Sequence, residues 1–484
     1  MRVPFTQSKH RQQMHFLPVT AAIPAQIVLS NEDLVDIIAT FCSRSSLASF
    51  IRVSWACFDI CKKRLWKITP SIFNVLILLP FLEFREGHWT LEPRKTPPPS
   101  WEWTRFDLYA PHIRQFISLG CSSVLGRPDI DTYILSHLTF SRPEKFFNSP
   151  IFPALQVLSI SADDFGNAPP CSVEHLYTNR LRDVEIQATY SPIQPYLEDL
   201  IMCAKNIRSL TIIGRFAAGA FEALRKFTEL KKLTIGTRHV TDTESRNLAT
   251  DFPNFLESLA NQDKLTYLSM KANVPRPLYP HSLQNIQHIE IQADSTSIIN
   301  VLGAGCFCTV VLRFTQTEFI STYTECFVSL VDTSSQVLQS LVVHSHAYSK
   351  HDFPVVRCLE PLLRARYLQK LCVYHSERLN ITLVDDDLSK MVAAWPHLEQ
   401  LLLQSSPWTS AGRDRRRQPT FLGITHLTKL PSLYGISIRA ENISLDLQFP
   451  LCIKRIPNFN TFPSALRHHL LWISSRNKAQ DTKE

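Results

Sequence analysis

Residues 384–403 read VDDDLSKMVAAWPHLEQLLL, and this stretch contains the two periodicities that decide the fold. After the acidic run, apolar residues recur every three or four positions, as on one face of a helix: Leu388, Met391, Val392 and Trp395. The spacing then changes, because Leu398 is followed three residues later by Leu401 and two residues later again by Leu403. Residues two apart point to the same face of a strand. The stretch therefore predicts a helix followed by a short strand.

The strand part of this pattern, apolar-x-x-apolar-x-apolar, recurs along most of the chain. Its copies begin 21 to 35 residues apart: Leu155/Leu158/Ile160, Leu181/Val184/Ile186, Ile207/Leu210/Ile212, Leu230/Leu233/Ile235, Leu265/Leu268/Met270, Ile286/Ile289/Ile291, Phe307/Val310/Leu312, Leu338/Leu341/Val343, Leu368/Leu371/Val373, Leu398/Leu401/Leu403 and Leu433/Ile436/Ile438. One strand and one helix cannot bury their apolar faces alone, so neighbouring units must stack.

These units resemble the leucine-rich repeat, whose consensus opens with Leu-x-x-Leu-x-Leu. That family usually places Asn or Cys three residues after the last strand leucine, and here only Asn273 fits. The repeat lengths also vary. We therefore expect an α/β fold, an irregular leucine-rich-repeat solenoid with parallel strands on the concave side and helices outside.

The residues between the buried positions of each strand are expected to face the concave side. They are Ser159, Glu185, Thr211, Thr234, Ser269, Glu290, Val342, Cys372, Leu402 and Ser437. Solenoids commonly bind extended partners on that surface. The alternative is a merely solvated face, and nothing in the sequence identifies a ligand.

Residues 31–68 read NEDLVDIIATFCSRSSLASFIRVSWACFDICKKRLWKI and predict three short helices. Asn31 is suited to the N-cap of the first helix, which carries one apolar stripe: Leu34, Ile37, Ile38 and Phe41. The serine-rich stretch 43–46 ends that helix, and Leu47 begins the second. The third carries Val53, Phe58, Leu65 and Trp66. Helices this short bury little alone, so they need a neighbouring domain or a partner.

This stretch resembles the F-box. The matches to the family pattern are Glu32-Asp33-Leu34, Leu47, Val53, Phe58 and Leu65-Trp66. It departs from the pattern where Ile23-Pro24 lies too early for the usual Leu-Pro opening and where Ala56 replaces a lysine. An F-box followed by degenerate leucine-rich repeats is the architecture of fungal-type F-box/leucine-rich-repeat proteins.

The resemblance implies docking onto a Skp-type adaptor and, through it, a cullin of a ubiquitin ligase. The residues it assigns to the adaptor contact and the module's own core are Leu34, Ile37, Ile38, Leu47, Val53, Phe58, Leu65 and Trp66. The alternative is that all of these are core residues and that the module only caps the solenoid, as repeat arrays require.

Composition divides the chain into five segments. We expect a disordered polar leader over 1–23, the F-box-like module over 24–71, and a connecting helix with a Pro/Trp-rich linker over 72–104. The repeats would then occupy 105–473, followed by a disordered tail over 474–484.

The composition excludes several classes of protein. Among 484 residues, 51 Lys+Arg stand against 43 Asp+Glu, a net charge of +8 that does not imply nucleic acid. Hydrophobic residues at 44% and charged residues at 19% exclude disorder throughout. The longest apolar run is too short to span a membrane. The densest basic site, Arg413–Arg417, reads as a nuclear address, an anion-binding loop or a solvated insertion.

Candidate sites for chemistry are weak. The three aspartates 385–387 favour the start of a helix over catalysis. His344 and His346 have no nearby partner to complete a metal set, and no phosphate-binding glycine loop or nucleophile elbow occurs. The 12 cysteines read as reduced thiols, so we expect a cytoplasmic or nuclear protein.

The sequence therefore predicts a non-catalytic protein without cofactor or metal. The favoured function is substrate recognition for a Skp–cullin–F-box ubiquitin ligase, with an unknown protein substrate on the repeats. A repeat scaffold whose N-terminal helices are only a cap is the alternative. A regulator of a GTPase, using the Arg413–Arg417 loop, is a third hypothesis.

Overall fold

The computed structural model describes residues 28–29, 31–85, 88–92, 98–118, 129–130, 134, 138, 150–161, 174–237, 242–316, 320–345, 353–354, 358–375, 381–404 and 426–438. The chain divides into two compact units, residues 1–158 and 159–484. The leader over 1–23, the Arg413–Arg417 loop, His346 and the tail over 474–484 lie outside the described residues.

The first unit begins with three helices, α1 (Glu32–Phe41), α2 (Arg44–Phe50) and α3 (Trp55–Lys67). Each starts where a polar side chain caps free backbone amides. Asn31 Oδ1 accepts from Leu34 N at 3.1 Å, which confirms the predicted N-cap. Ser43 and Ser54 hydroxyls cap α2 and α3 in the same way. The serine-rich stretch thus ends one helix by starting the next.

Short strands and helices make up the rest of the first unit. They are β1 (Ile68–Ser71), α4 (Phe73–Leu76), β2 (Leu82–Arg85), β3 (His88–Leu91), α5 (Thr104–Tyr109), β4 (Gln115–Ser118) and β5 (Asp129–Ile130), with 3-10 turns at Ser100–Trp103 and Ala110–His112. β1 pairs in parallel with β4, and β4 with the start of β6 (Val157–Ser161), within which the unit boundary falls.

The C-terminal end of the expected linker belongs to the core of this unit. Trp103 is fully buried, and its ring lies 5.3 Å from that of Phe81 and 5.7 Å from that of Phe106. A buried tryptophan removes a large apolar area from water. Trp103 is therefore part of the core of the first unit, and not of a linker.

The second unit contains β7 (Asp183–Pro192), β8 (Ser209–Arg215), β9 (Lys232–Thr237), β10 (Tyr267–Lys271), β11 (His288–Ala293), β12 (Thr309–Phe314), β13 (Ser340–Ser345), β14 (Phe353–Pro354), β15 (Lys370–His375), β16 (Ile381–Thr382), β17 (Gln400–Gln404) and β18 (Gly435–Ile438). β14 pairs with β16, and the other ten pair in parallel, each with the next in chain order. This arrangement is an α/β leucine-rich-repeat solenoid, as predicted.

The segments between these strands are uneven, which makes the solenoid irregular. The helices are α6 (Gln194–Cys203), α7 (Ala218–Arg225), α8 (Asp242–Ser258), α9 (Ser295–Leu302), α10 (Ile320–Ser334) and α11 (Asp385–Ala394), with 3-10 turns at Glu174–Leu176, Leu259–Asn261, Glu360–Arg364 and Leu427–Lys429. Residues 272–287, between β10 and β11, form turns without a helix. The predicted helix start at the three aspartates is confirmed, since Val384 N donates to Asp387 Oδ2 at 3.0 Å.

Alternate residues of each strand form the core. Leu210, Leu233 and Leu268 stand in register on neighbouring strands and are at most 1% exposed. Burying one such side chain contributes about 1.5 to 3 kcal/mol. Phe307, Val310 and Leu312 are buried in the same way, so this weaker copy of the repeat is a regular one.

Asparagine side chains join successive repeats at positions that the family consensus does not predict. Asn300 Nδ2 donates to Val274 O at 2.7 Å inside the core, and Ser297 Oγ accepts from Val274 N at 2.9 Å. Asn206 and Asn285 donate to carbonyls of the preceding repeat, Asn179 O and Ala260 O. Buried polar groups need such partners.

Candidate docking surfaces

The three N-terminal helices enclose a small core of five buried side chains: Val35, Ala39, Leu47, Cys57 and Cys61. Val35 and Ala39 are four residues apart and so share one face of α1. Burial raises the pKa of the Cys61 thiol to about 11. This thiol is therefore protonated at neutral pH and packs as a small apolar group.

The outer face of α1 is apolar as well. Leu34 is 40% exposed, Ile37 54%, Ile38 38% and Phe41 86%. The sequence predicted these four as one stripe, and the structure turns that stripe toward solvent because Val35 and Ala39 already fill the inner face. We call Leu34, Ile37, Ile38 and Phe41 the outer stripe. Exposed apolar residues this close together are typical of interaction sites.

Two further apolar side chains are exposed where α2 connects to α3. Val53 is 55% exposed and Trp55 83% exposed. Trp55 has one aromatic neighbour, Phe58, whose ring meets it edge-on at 5.5 Å. Phe41 and Trp55 are the most exposed large apolar residues of the module, and the predicted contact set contains neither of them. Phe41 had a sequence signal in the stripe of the first helix, whereas the signal of Trp55 is only that it is large and apolar.

The other predicted contact residues point inward. Leu47 is in the core, and Leu65 packs against it. Trp66 stacks on Tyr109 with ring centroids 4.6 Å apart, and Phe58 meets the same ring edge-on at 6.4 Å. Leu47, Phe58, Leu65 and Trp66 therefore serve the internal packing of the first unit, whereas Leu34, Ile37, Ile38 and Val53 are accessible.

A charged pair fixes α1 against α3. Arg64 Nε and Nη2 donate to the two oxygens of Asp36 at 2.9 and 2.7 Å. The hydrogen bonds from Arg64 lower the pKa of the Asp36 carboxyl. A two-pronged pair fixes direction better than a single contact. It holds α1 in the rotation that exposes the outer stripe.

The strand residues predicted to face the concave side lie in one row across the second unit. The backbone register aligns Glu185, Thr211, Thr234, Ser269, Glu290, Val311, Val342, Cys372, Leu402 and Ser437. Ser159 lies in β6 and donates to Glu185 Oε2 at 3.3 Å. Val311 completes the row, although the prediction left it out. The sequence pattern that could have identified it is the weak repeat Phe307/Val310/Leu312, in which Val311 lies between the last two apolar residues.

The chemistry of this row changes along the sheet. From Glu185 to Glu290 it is polar or acidic, and at Val311, Val342 and Leu402 it is apolar and half-buried. Cys372 occupies the row by register, but its side chain is fully buried, so unlike its neighbours it is not accessible on this face. Its thiol is short, and the longer side chain of Tyr374 lies two residues further on the same face of the strand.

The charged groups on this face bind one another. Glu290 accepts from Tyr267 Oη at 3.1 Å through one oxygen and from Arg313 Nε at 2.8 Å through the other. The Lys232 ammonium lies 4.6 Å from the centroid of the Tyr267 ring. Partial burial, followed by the charge of Glu290, raises the pKa of Tyr267. Glu290 thus has a partner for each of its two carboxylate oxygens.

Metal binding and membrane insertion have no support among the described residues. These residues contain no group of three or more His, Cys, Asp or Glu side chains that could hold a metal ion. None of the helices in the described part of the chain is long and apolar enough to cross a membrane.

Comparison with known proteins gives only distant likenesses. No family model and no curated protein matches the chain. A chain in the crystal structure of the Rad7 and Elc1 complex in yeast is 12% identical, with 84% of this chain and 98% of that chain covered and a TM-score of 0.36. The leucine-rich repeat-containing protein LegL7 from Legionella pneumophila is also 12% identical, over 59% of this chain and 93% of that chain, with a TM-score of 0.34. Neither likeness is strong enough to indicate a function.

Proposed function

We propose that this chain is a non-catalytic substrate-recognition subunit of a Skp–cullin–F-box ubiquitin ligase. The N-terminal helices dock a Skp-type adaptor, and the strand row of the second unit binds a protein target. Such a subunit speeds the transfer of ubiquitin by holding the target close to the ligase, and its own side chains take no part in the chemistry.

The observation that carries the proposal is the outer stripe. The inner face of α1, at Val35 and Ala39, already fills the three-helix core. The outer stripe is a second apolar face of the same helix, and this core does not use it. The cost of leaving Ile37 and Phe41 in water is removed when a partner covers them. A module that served only as an internal cap has no need of this second face.

Co-purification with a Skp-type adaptor tests the docking step. We expect the full-length chain to capture the adaptor and Ile37→Asp to lose it, because a carboxylate would be buried in the interface without a partner. Met202→Asp is the matched control, since Met202 is an exposed apolar residue on a helix of the second unit. If Ile37→Asp captures the adaptor as well as Met202→Asp does, the proposal is overturned.

A repeat scaffold with an N-terminal cap is the second candidate. The contacts of Trp66 and Phe58 with Tyr109 favour it, because they tie the helices to the rest of the first unit. The two candidates differ in what Ile37→Asp does. Under the cap hypothesis that exposed change leaves every binding property intact.

A further inference from the structure

Three basic residues form a ladder at the edge of the sheet in the second unit. Arg182 O accepts from Arg208 N at 2.7 Å, and Arg208 O accepts from Lys231 N at 2.8 Å. The three residues therefore occupy the same position at the start of β7, β8 and β9, on neighbouring strands. All three are exposed. We call them the basic ladder.

The basic ladder ends abruptly. The same position in the following strands is held by uncharged residues and then by an acid: Thr266, Gln287, Cys308, Gln339, Gln369 and Glu399. Other exposed basic residues lie in the turns that lead into β7–β10: Arg180, Lys205, Lys226 and Lys264. The positive charge is thus concentrated at one end of the sheet.

Within the described part of the chain, Arg182, Arg208 and Lys231 have no side-chain hydrogen bond or ion pair. Glu229 lies two residues before Lys231 and binds Lys264 at 2.5 Å. Hydrogen bonding to Lys264 lowers the pKa of Glu229, and the charges of Arg208 and Lys231 lower it further. Glu229 is paired with Lys264, and even with the exposed Asp183 beside Arg182 the three residues of the ladder keep a net positive charge.

Like charges at directly opposite positions of neighbouring strands destabilise a sheet. Two such like-charged pairs occur here, Arg182 with Arg208 and Arg208 with Lys231. An anionic ligand across the three residues relieves this repulsion. We propose that the basic ladder binds an acidic, extended segment of a partner protein.

Geometry supports an extended peptide. Neighbouring strands lie about 4.8 Å apart, so the ladder is about 10 Å long. Alternate side chains of an extended peptide are about 6.7 Å apart, which places two carboxylates within reach of three long basic side chains.

Nucleic acid fits this surface less well. Single strands bind where bases can stack on open aromatic rings. The aromatic ring on the adjacent strand belongs to Tyr267, which Lys232 and Glu290 already engage. Glu185 and Glu290 lie on the strand face that carries Tyr267, so that face also repels a polymer that is negative along its whole length. A protein segment can be acidic at the ladder and neutral beyond it.

The inference deepens the proposed function, because it assigns a class of target to the repeats. The test measures binding of the full-length chain to a fluorescent 12-residue peptide of alternating Glu and Ser, in low salt. A Gln/Ser peptide, a 12-nucleotide single strand and a 12-base-pair duplex are the comparison ligands. We expect the Glu/Ser peptide to bind tightest and to weaken as salt rises.

Variants locate the site. Arg208→Glu should weaken peptide binding about tenfold, because one attraction becomes a repulsion, and Lys231→Glu should act alike. Arg366→Glu is the matched control, since Arg366 is exposed in the turn before β15, and it should change affinity less than twofold. Arg208→Lys keeps the charge and should retain most binding.

Three results overturn the inference: no binding of the Glu/Ser peptide, equal weakening by Arg208→Glu and Arg366→Glu, or tighter binding of either nucleic acid. Adaptor capture by Arg208→Glu separates the two proposals. Capture without peptide binding removes only the acidic-segment inference, and peptide binding without capture removes only the adaptor.

Discussion

Val35 and Ile37 lie two residues apart on α1, yet Val35 is 0% exposed and Ile37 is 54% exposed. Both are apolar and branched, so composition does not distinguish them. The difference is rotation about the helix axis, which Asn31 at the N-cap and the Asp36–Arg64 pair hold in place. One helix thereby provides both a core face and a surface for a partner.

This relationship predicts that matched truncations at the two positions differ in their effect on stability. Val35→Ala should lower the free energy of unfolding by about 2 kcal/mol, because it leaves a cavity in a small core. Ile37→Ala should change it by less than about 0.5 kcal/mol, as for most surface substitutions. Urea unfolding of the two variants measures both values. Equal losses would mean that α1 is rotated differently.

The stack of Trp66 on Tyr109 predicts an energetic coupling between α3 and the end of α5. Trp66→Ala and Tyr109→Ala should each destabilise the chain, and the double variant should lose about 1 kcal/mol less than the sum, since an aromatic pair contributes roughly that beyond its buried area. A double-mutant cycle from thermal or urea unfolding measures the coupling. Strict additivity would contradict the contact.

The hydrogen bond from Asn300 to Val274 predicts a cost larger than that of an exposed asparagine. Asn300→Ala leaves the buried Val274 carbonyl without that donor and should cost about 1 to 3 kcal/mol. Asn206→Ala removes a bond of the same type at an exposed position, to Asn179 O, and should cost less. Urea unfolding of the two variants measures both losses of stability. Equal losses would show that the buried hydrogen bond contributes no more than the exposed one.

The Glu257–Arg276 pair predicts a dependence of stability on pH. Arg276 donates to both Glu257 oxygens, at 2.6 and 3.1 Å, and the pKa of Glu257 is lowered, chiefly by Arg276 and also by Tyr279 N. A lowered pKa stabilises the folded chain above the usual glutamate value of about 4.3, and this stability is lost as pH falls through the folded value.

We therefore expect Glu257→Gln to be less stable than the parent at pH 7 and to lose less stability between about pH 5 and pH 3. Glu222→Gln is the control, because Glu222 pairs with Arg225 on the surface. Its pH profile should follow that of the parent. Parallel profiles for Glu257→Gln and the parent would contradict the role of the pair.

Much of the second unit follows from the sequence, because a period of two assigns each strand residue to a face. The rows at Leu210 and Thr211 follow from that period alone. Burial of Cys372 does not, since it depends on the size of the side chains beside it. The face of α1 was ambiguous for a related reason: spacing identifies an apolar stripe and leaves open whether it points inward.

The basic ladder shows a different limit. Arg182, Arg208 and Lys231 are 26 and 23 residues apart, so no local pattern connects them. Their common feature is that each directly follows the first apolar residue of its repeat, after Leu181, Ile207 and Leu230. Aligning the repeats by that residue would have revealed the ladder. Parallel pairing in register is what turns this distant similarity into a surface.

Adaptor affinity of Ile37→Asp, measured by calorimetry alongside the parent and Met202→Asp, tests the central claim most directly. We expect the parent and Met202→Asp to bind a Skp-type adaptor with similar dissociation constants, and Ile37→Asp to bind at least about 100-fold more weakly, with an unfolding midpoint close to that of the parent. Equal binding by all three proteins, or no binding by the folded parent, would contradict it.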